Sequence, residues 1–432
     1  MRYFEILFLP IGWGQLNVLC TSGVTVITDG GSHALCFSRA YNLFRCFSEV
    51  KGIRRSNVFW ILSHLDYDHF SIVAQYFLDT NSKIERCYFP CILAVPECRD
   101  MKVAYLALMM AIYEVRRIPS PPYTRVFGAI NNICKQKIGI GRNYKLRLVD
   151  SQGNMLLEYH IVSPKCIYPD ITKRCRRIAN ELRAKLKKVC KGDERCIREN
   201  IDKARSILEG ITIESVEKCE PVDKIQVEDY ETFNRDKKES SSLSHNLSLE
   251  SRKYEYKDEN IKAASEYLMD ILGYEEYVKL RESMLNTEAI AYYLKTSISP
   301  IIVKHYYCIE PYCPIHYRHI VYYEKYKLYL VHDHIVNVYL SDLSGNELDD
   351  ALSYMLNAEN KNTLHPIVLV AAHHGNSWSE NLTKIKPLVT WLSRCGHVNR
   401  KIRSNFKEDY LYLGINTVVS GHNRILRVEG YR

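Results

Sequence analysis

No stretch of this 432-residue chain approaches the run of about 20 apolar residues that a membrane-spanning helix needs. The longest apolar run, Val103 to Ile112, soon meets Glu114, Arg116 and Arg117 and reads as a buried helix. The first ten residues resemble a secretory leader only superficially. Met1 to Pro10 carries Glu5, is short, and lacks a small-residue cleavage site, so a first β-strand is expected there. These absences point to a free-standing, soluble, cytoplasmic protein with no membrane partner. Glutamine is scarce, at five residues, while Lys, Arg, Ile and Tyr abound. That balance fits intracellular proteins of hyperthermophiles. No internal repeat is evident.

Such proteins are the exception to the rarity of disulfides inside cells, which bears on the 15 cysteines present. Cys87 and Cys91, Cys190 and Cys196, and Cys308 and Cys313 lie close in sequence. The odd total leaves at least one thiol over. Cys308, Cys313, His316 and His319 have the side chains of a structural zinc site, but their histidine spacing is shorter than usual. A Cys308–Cys313 disulfide, or plain buried thiols, is the stronger expectation.

Hydrophobic residues make up 46% of the chain and charged ones 25%, as in an ordinary soluble globular protein. The length allows two or three average domains or one large sandwich with insertions. A net charge of +9 favours a polyanionic partner, with nucleic acid foremost. Much of that charge lies between Lys173 and Lys203, on a helical pattern with Ile178, Leu182 and Leu186 on its apolar side. Such a helix either tracks a phosphate backbone or is an ordinary solvated face; Asp193, Glu194 and Glu199 dilute its field.

The densest chemistry is Ser63-His64-Leu65-Asp66-Tyr67-Asp68-His69, directly after the apolar run Val58 to Leu62. A run of that kind reads as a buried strand, which places the polar residues on the loop at its carboxyl end. A lone His-x-Asp is usually just a polar loop, but four ligand-type side chains in six residues are rare. Alternate residues can face one ion, so His64 and Asp66 would serve one metal and Asp68 and His69 a second. Two ions roughly 3.5–4 Å apart are the usual apparatus for phosphodiester or amide hydrolysis.

With this motif the chain resembles the metallo-β-lactamase fold superfamily, and within it the soluble hydrolase domain of ComEC-type DNA-uptake proteins, where S-H-x-D-x-D-H is a common form. The likeness continues in order. Ile11 to Gln15 is similar to a V-G-Q-G-D turn, with Gln15 where Asp is common, and Asp29-Gly30-Gly31 matches a D-G-G after the second strand. Asn246 to Leu249 is similar to an N-x-S-L strand start. Leu330 to Asp333 stands in the place of L-T-G-D, whose Asp bridges the metals. His373-His374-Gly375 is close to H-H-G-S, whose first His is a ligand, and Ser420 to Asn423 is similar to a final S-x-G-x-N.

The resemblance implies an α/β, metallo-β-lactamase-like αββα sandwich with two helical insertions, and two divalent ions per chain. His64 and Asp66 would hold one ion, Asp68, His69 and His373 the other, and Asp333 would bridge. Asp68 is also the candidate general base. The oxygen-rich set leans toward Mn²⁺ or Mg²⁺, with Zn²⁺ still open. Departures from the pattern leave further candidates, for the metals or for hydrogen bonds to their ligands: His332 and His334 flanking Asp333, His374, His422, and His160 as a middle histidine. A core role for His160 is the stronger expectation. Asn376 and Ser377 are placed to touch substrate or to cap their loop.

Residues 1–165 are expected as the first half of the sandwich, with strands near Tyr3–Pro10, Gln15–Cys20, Val24–Thr28, Phe59–Leu62 and Leu156–Val162. A basic helical insertion and linker follow at 166–240, a return strand at 241–250, and a second, mainly helical insertion at 251–319. The second half spans 320–432, with strands near Ile367–Ala371, Thr417–Ser420 and Ile425–Val428. The function expected is a metal-dependent hydrolase, foremost a nuclease or phosphodiesterase using a two-metal-activated hydroxide. The alternative is a hydrolase of small esters, lactones or thioesters, since a fold does not fix a substrate.

Overall fold

The computed structural model describes residues 2–12, 14–32, 36–94, 130–165, 217–218, 222–227, 289–308, 320–325, 334–393, 407–413, 416–419 and 424–431, together with 180, 184, 187–188 and 190–199. The chain is α/β, with two mixed sheets and few helices among these residues. Its strands are β1 (Arg2–Phe8), β2 (Leu16–Cys20), β3 (Val24–Asp29), β4 (Asn57–Ile61), β5 (Ile84–Pro90), β6 (Cys134–Ile140), β7 (Lys145–Val149), β8 (Met155–Ser163) and β9 (Glu217–Lys218). They continue with β10 (Val222–Gln226), β11 (Ala291–Thr296), β12 (Ile301–Cys308), β13 (Ile320–Lys325), β14 (Ile335–Tyr339), β15 (Val368–Val370), β16 (Val389–Leu392), β17 (Asn416–Val419) and β18 (Arg424–Tyr431). The α-helices that lie wholly among the described residues are α1 (Phe37–Lys51), α2 (Tyr67–Asp79) and α3 (Gly345–Ala358).

One sheet runs β13-β12-β18-β1-β2-β3-β4-β5-β6-β9 and the other β10-β7-β8-β11-β14-β15-β16-β17. Strand alternation explains how they stack. Val24 and Val26 of β3 join Tyr159, Tyr292 and Val336 of the other sheet in one core, while Ile27 points the opposite way, toward Phe44, Val73 and Phe77 of α1 and α2. On the far face of the second sheet, Ala291, Tyr293 and Val338 pack on Leu348, Leu352 and Met355 of α3. This layering is compatible with a two-sheet sandwich carrying helices outside.

β3, β4, β5 and β6 are mutually parallel, as are β14 through β17. Loops leaving the carboxyl ends of these two parallel blocks meet at one end of the molecule, where such sheets place their chemistry. Of the strands expected from sequence, the eight that fall on described residues are present, with ends within about three residues.

The span 251–319 needs correcting. It contains β11, which sits centrally between β8 and β14, and β12, which extends the first sheet. The run Ala289 to Leu294 is continuously apolar and wholly buried, so it forms a strand covered on both faces. Within 166–240, β10 pairs in parallel with β7 and widens the second sheet. Residues 241–250, most of the basic stretch, and Val103 to Ile112 lie outside the described residues.

Cys87 is disulfide-bonded to Cys134 across β5 and β6, and Cys190 to Cys196. Cys36, Cys46 and Cys91 are disulfide-bonded too. Among the described residues, no helix is long and apolar enough to cross a membrane.

Candidate metal centre

The first wall of the site grows from β4. Its buried residues Trp60 and Ile61 lead into Leu62, then into the buried Ser63 and His64. Asp66 has extended backbone and accepts a hydrogen bond from Tyr67 N–H at 3.1 Å, so it is the N-cap of α2. Asp68 and His69 therefore fall in the first helical turn, with Asp68 at the positive end of the helix dipole. Two glycines allow this crowding. A Cβ on Gly31 would lie 2.4 Å from the Asp68 carbonyl carbon and from His69 N, and one on Gly14 would lie 2.6 Å from Asp68 O.

The second wall comes from the other sheet. β14 leads through Leu340 into Ser341 and Asp342, and β15 runs through Ala371 into Ala372-His373-His374-Gly375. His373 (φ 48°), His374 (φ 54°) and Gly375 (φ 86°) form a left-handed run, and Ser341 (φ 49°) and Asp29 (φ 55°) share that conformation. Each non-glycine residue so held costs about 1–2 kcal/mol. Four of the nine positive-φ non-glycine residues described thus gather here, and strain of this kind collects at functional sites.

Asp342 lies among four imidazoles. Its Oδ1 is 3.4 Å from His69 Nε2 and 3.8 Å from His374 Nε2; its Oδ2 is 3.8 Å from both His64 Nε2 and His373 Nε2. Asp68 Oδ2 is 3.4 Å from His374 Nε2. Two sets of three donors lie within 4.8 Å of one another: His64, His69 and Asp342, and Asp68, His69 and His374.

Behind them, Asp29 fixes the orientation. It accepts hydrogen bonds from Ser63 N (2.7 Å), Ser63 Oγ (2.8 Å), His69 Nδ1 (2.7 Å) and the Tyr339 hydroxyl. A carboxylate oxygen accepts here, so His69 Nδ1–H donates to Asp29 and Nε2 is the ring nitrogen that faces the cluster. His64 Nδ1 lies 3.0 Å from Ser63 Oγ and 3.4 Å from Ser341 Oγ, which aims its Nε2 the same way.

Burial and the neighbouring His69 push His64 down to about 4, so it is neutral at pH 7. Burial also opposes a charge on His69, but Asp342 and Asp29 outweigh it and raise this histidine well above its ordinary value. Asp68 and Asp342 are both lowered: burial works against their charge, and the surrounding histidines overcome it.

A metal fits this arrangement. Nε2 of His64, Nε2 of His69, Oδ1 of Asp342 and both ring nitrogens of His374 are buried without a hydrogen-bond partner. Buried polar atoms are almost always paired, and five orphans in one cluster need an explanation. A divalent cation would account for four of them, Asp342 Oδ1 and one nitrogen from each histidine.

The sequence candidates separate accordingly. Asp68 and His69 share one donor set with His374, where His373 was expected, and His64 shares the other with His69 and Asp342, where Asp66 was expected. His373 is more exposed, with Nδ1 3.5 Å from Ser377 Oγ. Asp66 spends its side chain on the helix cap and belongs to neither donor set. His160 stands on the outer face of the second sheet, stacked on Tyr293 and paired with Glu158. His334 precedes β14 whereas Asp342 follows it, so they lie at opposite ends of that strand. Asn376 is exposed and closes the histidine turn through its N–H to His373 O at 2.8 Å, while Ser377 is buried beside it. Asp333, His332 and His422 lie outside the described residues.

Asp342 is the residue that sequence reading passed over. Its signal was the apolar strand Ile335 to Leu340 ending in Ser-Asp, nine residues beyond the Asp333 chosen instead. Tyr339 had no signal at all, since its role comes from tertiary contact alone. A separate cleft of about 490 Å³ opens between Asn57, Phe59, Arg86, Lys135 and Ile225, at the opposite end of β4. Arg86 and Lys135 are paired there with Asp223 and Glu85. No protein-family model, curated protein or solved structure matches the chain.

Proposed function

We propose that this chain is a metal-dependent hydrolase built on a metallo-β-lactamase-like αββα sandwich, and that its substrate is a phosphodiester of nucleic acid. The observation that carries the hydrolase reading is the set of five buried, unpartnered donor atoms where both sheets converge. His69 offers only Nε2, so it cannot serve two ions. A pair of ions would divide the donors into His64 on one side and Asp68, His69 and His374 on the other, with Asp342 between. Three imidazoles and two carboxylates suit Zn²⁺ or Mn²⁺ better than Mg²⁺, which prefers oxygen.

Divalent ions held here would supply Lewis acidity and a lowered water pKa at neutral pH. The chain's own residues do the rest. Asp29 holds the His69 ring, Ser63 and Ser341 hold His64, and the ionised Asp68 offers Oδ2 as a hydrogen-bond acceptor for an attacking water. Phosphodiesters are favoured over small esters by the net charge of +9 and by the resemblance of the motif order to the DNA-uptake hydrolases.

The test is cleavage of end-labelled single- and double-stranded DNA and RNA with Mn²⁺, Zn²⁺ or Mg²⁺ supplied separately, beside a panel of small esters, lactones and thioesters. The expected result is metal-dependent nucleic-acid cleavage that Asp68→Ala with His69→Ala abolishes. Turnover of the small esters alone would move the substrate assignment, and turnover unchanged in the double variant would sink the metal-centre reading.

A further inference from the structure

The turn that carries His374 has one closing hydrogen bond of its own, from Asn376 N–H to His373 O. Its left-handed run at His373, His374 and Gly375 is further braced by contacts from other segments. His373 N–H donates to Ser341 O at 2.7 Å, and Lys407 N–H donates to Gly375 O at 2.8 Å. Between these lies Tyr410, in the short helical turn Glu408–Tyr412. Its side chain is wholly buried, and its ring meets Trp378 edge-on at 5.2 Å. The Tyr410 hydroxyl accepts from Ala372 N–H at 3.2 Å and donates to Ser377 O at 2.8 Å. One oxygen thus joins the first residue of the histidine turn to Ser377, two residues beyond its end.

We infer that Tyr410 is a positioning residue for the metal centre: by clasping Ala372 to Ser377 it holds the turn in the geometry that presents His374 to Asp68. The inference rests on the metal-centre reading above and names a residue outside the donor set. Tyr410 touches none of the donors through its hydroxyl, so its effect passes through His374. The phenol suits a permanent clasp because burial raises its pKa and keeps it neutral. Without the hydroxyl, Ala372 N–H and Ser377 C=O lose their partner inside the protein, and the turn is free to relax to ordinary backbone angles.

The test is Co²⁺ binding, followed by calorimetry and visible absorption, on the full-length wild type, Tyr410→Phe, His374→Ala and the double variant. Circular dichroism would check the fold of each. Tyr410→Phe keeps the ring against Trp378 and is expected to weaken Co²⁺ binding by about tenfold, the low end for residues that orient a ligand. In the His374→Ala background the same change should have no further effect. Equal affinity in wild type and Tyr410→Phe, or loss that multiplies in the double variant, would overturn the inference. No Co²⁺ binding by the wild type would overturn both it and the metal-centre reading.

Should Tyr410→Phe not fold, hydrogen exchange on the wild type decides instead. Co²⁺ should protect residues 370–378 and 407–413 together. Protection of the first segment without the second would overturn the clasp.

Discussion

His69 Nδ1 lies 2.7 Å from Asp29 Oδ2, and that one contact decides which face of the imidazole looks into the cluster. The pair is buried, and the same carboxylate also takes both donors of Ser63 and the Tyr339 hydroxyl. Asp29→Asn replaces a pure acceptor with an amide that must turn a donor toward one of these donors. Metal affinity is expected to fall by about 10- to 100-fold, as for other residues that orient a metal-binding histidine. Competition with a chromophoric chelator would measure it, and an unchanged constant would remove Asp29 from the centre.

Asp342 and Asp29 also favour a charged His69 in the metal-free protein. Because its folded-state pKa is raised, this ion pairing stabilises fully below the ordinary histidine value and is lost as pH rises through the raised one. A metal must displace that proton. Its affinity should therefore weaken as pH falls, by about tenfold per unit for one proton displaced. His64, held down to about 4, adds no such competition near neutrality. Calorimetry in two buffers of different ionisation enthalpy would count the protons released; a count of zero contradicts the assignment.

Away from the centre, Glu158 takes Arg147 and His160 as partners on the outer face of the second sheet. Burial opposes its charge, but these partners prevail and lower it from 4.5 to about 2. A depressed carboxylate contributes its stability above the unfolded value and loses it as pH falls through the folded one. The loss between pH 4.5 and 2 amounts to about 3 kcal/mol at most. Glu158→Gln should flatten the acid limb of a Tm-against-pH curve. An acid limb as steep as wild type would mean that other carboxylates govern it.

The Cys87–Cys134 bond joins residues 47 apart. On the chain-entropy account a loop of that size is worth about 4 kcal/mol through restriction of the unfolded state. Replacing both cysteines with Ala should lower the denaturation midpoint without moving metal affinity, since β5 and β6 carry no donor. A midpoint unchanged from wild type would show that strand pairing alone holds this edge.

Much of this architecture was legible because it is local. Alternation and apolar runs marked the strands, and the ligand-dense loop after Val58 to Leu62 marked the first wall of the site. Central strand β11 escaped because its continuous apolar run joined a helical pattern before it. In the histidine turn the sequence pointed to His373, whose Nε2 lies 3.8 Å from Asp342, while the left-handed backbone also brings His374 into a donor set with Asp68 and His69. Asp66 looked like a ligand by spacing, yet the start of α2 claimed it as a cap. Sequence spacing cannot weigh a helix N-terminus against an ion; the positions of Tyr67 and Asp342 can.

Asp342 is therefore the residue on which the site now turns. It is the carboxylate within 3.4–3.8 Å of four imidazole nitrogens, and its Oδ1 is buried without a hydrogen-bond partner. Asp342→Ala should remove metal binding to the limit of detection. It should also raise the metal-free Tm only if charge crowding, rather than ion pairing, dominates the empty site. Because Asp342 helps to raise His69 well above its ordinary value, a fall in metal-free Tm is expected instead. The sequence-based choice, Asp333→Ala, supplies the contrast on the same assay. Loss of metal in Asp333→Ala with retention in Asp342→Ala would restore the L-T-G-D alignment and displace β14 as the second wall. The reverse result would fix Ser341-Asp342 as the strand end that closes the centre.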